Sequence, residues 1–223
     1  MNVVVVNKNP VFENTALAIE EKVKANTTLI SKKEEFTYDY LSKVKPDYIF
    51  VLHWSHIIPS EIHENFNCIL FHMTDLPFGR GGSPLQNLIV RGYEKTQLSA
   101  IQVEEGLDTG DVYLKKELLL CGTAEEIFIR AGTIMVNMIE EIIVKQLQPQ
   151  PQTGQGELFK RRKPKDSDIS QLTSLQEVYD YIRMLDAEDY PHAFLENEHF
   201  RLEFTRATMK SNHIKADVTI FKK

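Results

Sequence analysis

Val3–Val6 is an unbroken run of β-branched residues, the pattern of a strand buried on both faces of a parallel sheet. A polar loop follows, and Ala16, Ile19 and Val23 then recur at helical spacing. Thr28–Ile30 reads as a short second strand. Tyr40, Leu41 and Val44 predict a helix that stops before Pro46. Tyr48–Leu52 is another apolar strand, Ile57-Ile58-Pro59-Ser60 opens a short helix, and Cys68–Phe71 is the next buried strand. Gln97–Val103 and Val112–Leu120 follow as strands, parted by the loop Glu104–Asp111. Thr123 and Glu126 have capping-box spacing, and behind them Ile127, Ala131, Ile134, Met138 and Ile142 mark one face of a long helix. The alternation of strand and helix predicts an α/β fold with a mainly parallel sheet flanked by helices.

The pattern changes at 147–157, LQPQPQTGQGE, where glutamine, proline and glycine accumulate. A boundary is expected there, with a catalytic domain over 1–150 and a small C-terminal subdomain over 151–223. In the latter, Ser174 and Glu177 have capping-box spacing, and Leu175, Val178, Ile182 and Leu185 give a helix face. His192–Leu195, Phe200–Thr208 and Lys215–Phe221 read as strands, making the tail a small α+β appendage. Its apolar strands could supply a homodimer interface.

Composition narrows the classes. The chain has 223 residues, 42% hydrophobic and 26% charged, which suits a soluble globular protein with a sizeable core. No apolar stretch approaches the ~18 residues needed to span a bilayer. The amino terminus lacks the basic region of a signal peptide, so a cytoplasmic protein is expected. Two cysteines, Cys68 and Cys121, exclude a disulfide framework and read as buried small hydrophobes. The net charge of −6 argues against a nucleic-acid partner. The one basic cluster, Lys160-Arg161-Arg162-Lys163 with Lys165, is either a solvated loop or a local phosphate contact.

Candidate chemistry lies in two loops. His72 through Gly82 follows a strand's carboxyl end, where open α/β sheets bind ligands. Ser83-Pro84 then starts a helix, with serine as its cap. His72, the glycine-rich turn and the acidic Asp108-Thr109-Gly110-Asp111 loop suit acid–base work. A lone histidine is more often structural, and Gly79, Gly81 and Gly82 could simply form a tight turn. The run lacks the ending of a P-loop, and His53, His56 and His63 lack an HExxH pattern, so no metal site is expected.

The combination is more specific. FHMTDLPFGRGGSPLQ, residues 71–86, resembles the histidine loop of folate-dependent formyltransferases, and Gly106–Asp111 resembles their second motif at the same interval. The resemblance covers the first 150 residues well. It implies a Rossmann-like domain with 10-formyltetrahydrofolate as donor and a primary amine as acceptor. Matched motif by motif, His72 and Asp108 are the catalytic pair. Trp54, Leu70, Met73, Val103, Glu104, Glu105, Gly106 and Leu107 would contact the folate, the loop mostly through backbone groups. Arg80, Gly81, Gly82, Thr109, Arg161 and Arg162 would face the acceptor.

The physics suits these roles: imidazole titrates near neutrality, and a nearby aspartate orients it and favours its charged form. One departure stands out. Relatives carry asparagine two residues before the histidine, where this chain has Leu70. Leucine donates no hydrogen bond to an oxyanion, so His72 is expected to carry more of that stabilisation. Asn67 is out of reach by strand geometry, and Asn87 is the candidate substitute.

The short tail and the net negative charge of the chain argue against methionyl-tRNA as acceptor, and Asn7-Lys8-Asn9-Pro10 lacks the glycine-rich loop of glycinamide ribonucleotide formyltransferases. Residues 71–89 and the RRKPKDSDI segment look like sugar N-formyltransferases, related to formylation domains of peptide synthetases. A nucleotide-linked amino sugar is therefore the expected acceptor. A 10-formyltetrahydrofolate hydrolase, a methionyl-tRNA or glycinamide ribonucleotide formyltransferase and a non-catalytic folate or sugar binder stay open as alternatives.

Overall fold

The elements of the chain are those of an α/β sheet followed by a small second sheet. A computed structural model describes residues 1–223. In chain order they are β1 (Asn2–Asn7), α1 (Glu13–Val23), β2 (Asn26–Ile30), α2 (Tyr38–Val44), β3 (Tyr48–His53) and α3 (Ser60–His63). There follow β4 (Cys68–His72), β5 (Arg80–Gly81), α4 (Pro84–Ile89), β6 (Lys95–Gln102), β7 (Val112–Leu119) and α5 (Ala124–Lys145). The tail adds β8 (Leu158–Phe159), α6 (Leu175–Met184), β9 (Ala193–Glu196), β10 (Phe200–Met209) and β11 (Ile214–Lys222).

The main sheet has the order β2-β1-β3-β4-β6-β7. The first three pairings are parallel, and β6 and β7 join antiparallel. Helices cover both faces, so the inner strands read as continuous apolar runs. Successive residues then serve opposite cores. Val3, Val5, Phe50, Leu52, Ile69 and Phe71 face the larger core, which α1 and α5 cover. Val4, Val6, Ile49, Val51 and Cys68 face a smaller core with Leu41 of α2 and Ile62 of α3. Strand order reverses at β1, which places a crevice at the carboxyl ends of β1 and β3.

The expected helix starts hold at two helices and fail at a third. Thr123 and Ser174 each form a full capping box, with Glu126 and Glu177. Ser83 is not the expected cap. It has φ +53°, makes no capping bond, and its hydroxyl instead accepts from the Arg162 N–H at 3.1 Å. Cys121 also departs from expectation: it is exposed, because it falls in the turn between β7 and α5, whereas Cys68 is fully buried.

The small sheet is antiparallel, β11-β10-β9, with α6 packed on β10. Val218, Ile220 and Phe221 of the edge strand β11 are exposed. No helix is long and apolar enough to cross a membrane.

Candidate active site

His72 is the last residue of β4, and Asp108 comes from the loop between β6 and β7. Both are buried. The fold brings them together: His72 Nδ1 lies 3.7 Å from Asp108 Oδ2. That is an ion-pair distance, too long for a hydrogen bond. Contrary to expectation, Asp108 therefore does not orient the ring by a direct bond. The Gly79 carbonyl does so. It accepts from His72 Nε2 at 2.8 Å, and because a carbonyl only accepts, Nε2 carries the proton. Nδ1 is left as the nitrogen that can take up or release one, beside a carboxylate that offsets its charge.

The carboxylate is itself held. Asp108 Oδ2 accepts from the Gly81 N–H at 2.8 Å. Gly81 has φ +104°, and a Cβ there would stand 2.5 Å from the Phe159 carbonyl, so only glycine serves. The close approach arises because β5 pairs with β8, Arg80 opposite Leu158 and Gly81 opposite Phe159. Residues 158–159 thus form a floor under the histidine loop.

The residues expected at the folate divide into two sets. Trp54, Leu70 and Val103 are half-buried and pack on the same small core. By alternation along β4, Leu70 and His72 share a face, so this apolar wall adjoins the histidine. Glu104, Glu105, Gly106 and Leu107 are exposed in the next loop, where the Glu105 carbonyl accepts from Thr109 Oγ1 at 3.0 Å. Met73 lies elsewhere: its side chain is buried in the larger core.

The expected acceptor contacts are likewise mixed. Arg161 is exposed, packs against Gly82, and reaches the Ser55 carbonyl at 3.5 Å. It therefore spans from the histidine loop to the end of β3. Arg162 is committed inward, to the Asp166 carbonyl and over the Tyr181 ring. Arg80 is committed too, its Nε and Nη2 donating to Gln152 Oε1 at 3.2 and 2.7 Å. Asn87 is no oxyanion donor, because its Nδ2 bonds the Gly82, Ser83 and Lys160 carbonyls, each at 3.0 Å.

Gln152 escaped sequence reasoning. It sits in the stretch that read as a boundary, yet its Nε2 donates to the Asp108 and Gly110 carbonyls, both at 2.8 Å. His53, at the end of β3, is also unanticipated. It stacks on Phe12, meets Phe128 edge-on and leaves Nδ1 without a partner. Burial first, then the nearby Arg161 and Lys8, push its pKa down to about 4. A concavity of about 590 Å³ lined by Met1, Asp47, Tyr48, Ile143, Gln146 and Gln148 opens at the amino ends of β1 and β3, away from His72. No group of three or more His, Cys, Asp or Glu side chains is placed to hold a metal ion.

Comparison with known proteins follows the same residues. The formyl transferase family model matches 4–128, and a model described as the C-terminal domain of methionyl-tRNA formyltransferase matches 164–221. A solved structure described as methionyl-tRNA formyltransferase from Clostridium thermocellum is 51% identical, covers 100% of both chains and has a TM-score of 0.97. The methionyl-tRNA formyltransferase of Clostridium perfringens is 28% identical over 178 residues, 76% of this chain and 58% of that one. The chain thus spans little more than half the length of that curated relative. A sugar N-formyltransferase from a Shewanella species matches with a TM-score of 0.67 but at 17% identity, a likeness of fold alone.

These findings overturn two expectations. The nucleotide-linked amino sugar loses its support, since the full-length match at high identity is to a methionyl-tRNA formyltransferase. The exclusion of a nucleic-acid partner falls with it. The sugar acceptor rested on the likeness of residues 71–89 and the RRKPKDSDI segment to sugar N-formyltransferases and on tail length, and the exclusion of nucleic acid rested on net charge. A chain-wide average does not report the local basic strip beside Gly82, and the tail that looked too short matches a tRNA formyltransferase domain.

Proposed function

The chain belongs to the formyl transferase family, and from that premise we propose that it moves a formyl group from 10-formyltetrahydrofolate to the amino group of a methionyl-tRNA. The observation that carries this reading is the 51% identity over the whole of both chains to the Clostridium thermocellum protein.

The site suits the chemistry. The amine attacks the formyl carbon, a C–N bond forms, and the carbonyl oxygen becomes an oxyanion. The amine then loses a proton, the bond from the formyl carbon to the folate nitrogen breaks, and that nitrogen takes a proton. His72 Nδ1 is the group to accept the first proton and return the second, with Asp108 at 3.7 Å offsetting the imidazolium between the two events. With Leu70 in the asparagine position and Asn87 committed elsewhere, the protonated ring also serves the oxyanion. A donor in that role contributes roughly 10²–10³ in rate. The folate pterin would lie on Trp54, Leu70 and Val103 and bond to backbone groups of 104–107. Arg161, with Lys163 and Lys165 on the same exposed loop, would meet the phosphates of the acceptor stem.

The test is direct: incubate the protein with aminoacylated initiator tRNA and 10-formyltetrahydrofolate, then measure N-formylmethionine after deacylation. Formylation is expected, and His72→Ala should lower its rate at least 10³-fold while remaining folded. Folate consumption that yields formate and no formylmethionine would defeat the reading in favour of hydrolysis.

A further inference from the structure

Gln152 lies outside both recognisable motifs, yet its amide joins them. Its Oε1 accepts two bonds from the Arg80 guanidinium, at 3.2 and 2.7 Å. Its Nε2 donates to the Asp108 and Gly110 carbonyls, at 2.8 Å each. A guanidinium only donates and carbonyls only accept, so this amide orientation satisfies all four bonds and the flipped one satisfies none. Asp108 is a non-glycine residue at φ +53°, a conformation with a steric cost that its surroundings must hold. The segment bearing Gln152 is itself pinned. Gln150 and Val112 exchange two backbone bonds, of 2.8 and 2.9 Å, at the start of β7, and the Glu157 carbonyl accepts from the Arg80 N–H at 3.0 Å. Residues 150–159 are therefore a strap that leaves β7, passes the Asp108 loop and ends beneath the histidine loop.

We propose that Gln152 is a positioning residue for formyl transfer, clamping the Asp108 backbone so that its carboxylate stays at His72 Nδ1. This inference rests on the proposed formyl-transfer reading. Gln152 touches no reacting atom. It acts through Asp108, so its removal alters turnover more than folate binding. Residues that hold a metal ligand from behind change activity roughly 10- to 100-fold, and the same order is expected for one that holds a catalytic carboxylate.

The experiment is a double-mutant cycle. Gln152→Met keeps length and removes all four bonds. It should lower kcat 10- to 100-fold and leave the KM for 10-formyltetrahydrofolate within about twofold. In an Asp108→Asn background the same substitution should lower kcat less than twofold further, because the group it positions is already gone. Equal losses in both backgrounds would overturn the proposal, as would wild-type kcat in Gln152→Met. Gln152→Glu keeps an oxygen partner for Arg80, and so the strap, while facing two carbonyls with an acceptor. It should show the same losses and carries the test if Gln152→Met does not fold. Hydrogen exchange separates this proposal from the catalytic reading. Amides of 103–111 should exchange at least tenfold faster in Gln152→Glu, with β1, β3 and β4 unchanged, even if no formylmethionine is made. Unchanged exchange at 103–111 would refute the clamp.

Discussion

Packed between Phe12 and Phe128, His53 has Lys8 and Arg161 near enough to oppose its charge. Its folded pKa of about 4 lies below the ordinary 6.5, so the unfolded chain binds a proton that the folded chain refuses between these values. Stability is therefore full above pH 6.5 and falls as pH drops toward 4. The loss amounts to about 3 kcal/mol across that window. Urea unfolding at pH 7.5 and pH 4.5 should show His53→Leu losing 2–3 kcal/mol less than wild type on acidification, roughly; identical losses would exclude His53 as the source. At this scale the sequence was legible where chemistry is carried by a motif. His72 and Asp108 meet as expected. It was illegible where a role depends on distant partners. Nothing near Gln152 announces that four polar groups converge on it, and nothing near Asn87 announces that its amide is already taken.

Among elements, local signals read true. The Thr123/Glu126 and Ser174/Glu177 boxes and the long face of α5 depend only on neighbours along the chain. The pairing of β5 with β8 was invisible because two residues carry no periodicity and their partners are almost 80 positions away. The β6–β7 loop offers a test of how tightly such connections fit. A Cβ on Gly110 would fall 1.8 Å from the Gln102 carbonyl, whose residue also donates its N–H to the Asp111 carbonyl at 2.8 Å. Backbone cannot yield as a side-chain tip can. Gly110→Ala should destabilise the protein by about 1–3 kcal/mol in urea unfolding. Formylation should fall with it, since Gly110 is one carbonyl of the Gln152 clamp. A variant with wild-type stability and rate would show that the loop tolerates a shift of its path.

At the scale of the molecule, the net charge of −6 is compatible with the proposed tRNA acceptor, because contacts to phosphates depend on local charge. The excess of Glu and Asp over the whole chain sets the average, while Arg161 stands exposed against Gly82 of the histidine loop and Lys163 and Lys165 are exposed just after it in the chain. If these three cations meet phosphates as proposed, log K should fall with log salt at a slope of roughly −2 to −3. Lys163→Gln with Lys165→Gln should flatten that slope by about 1–2, read from filter binding at several salt concentrations. An unchanged slope would remove this strip from the interface. The fold class was plain from the alternation of elements, but the acceptor now proposed was not, because length and net charge are sums that hide where charge lies.

The strap over 150–159 bears on how the protein can be cut and rejoined. The glutamine-proline composition there invites use as a flexible hinge, a fusion point or a site for an inserted tag. A fragment ending at residue 150 would retain both His72 and Asp108 and lose Gln152, Leu158 and Phe159 together. Engineering that respects the chemistry should instead open the chain at an exposed turn such as 210–213, where only the ends of β10 and β11 meet.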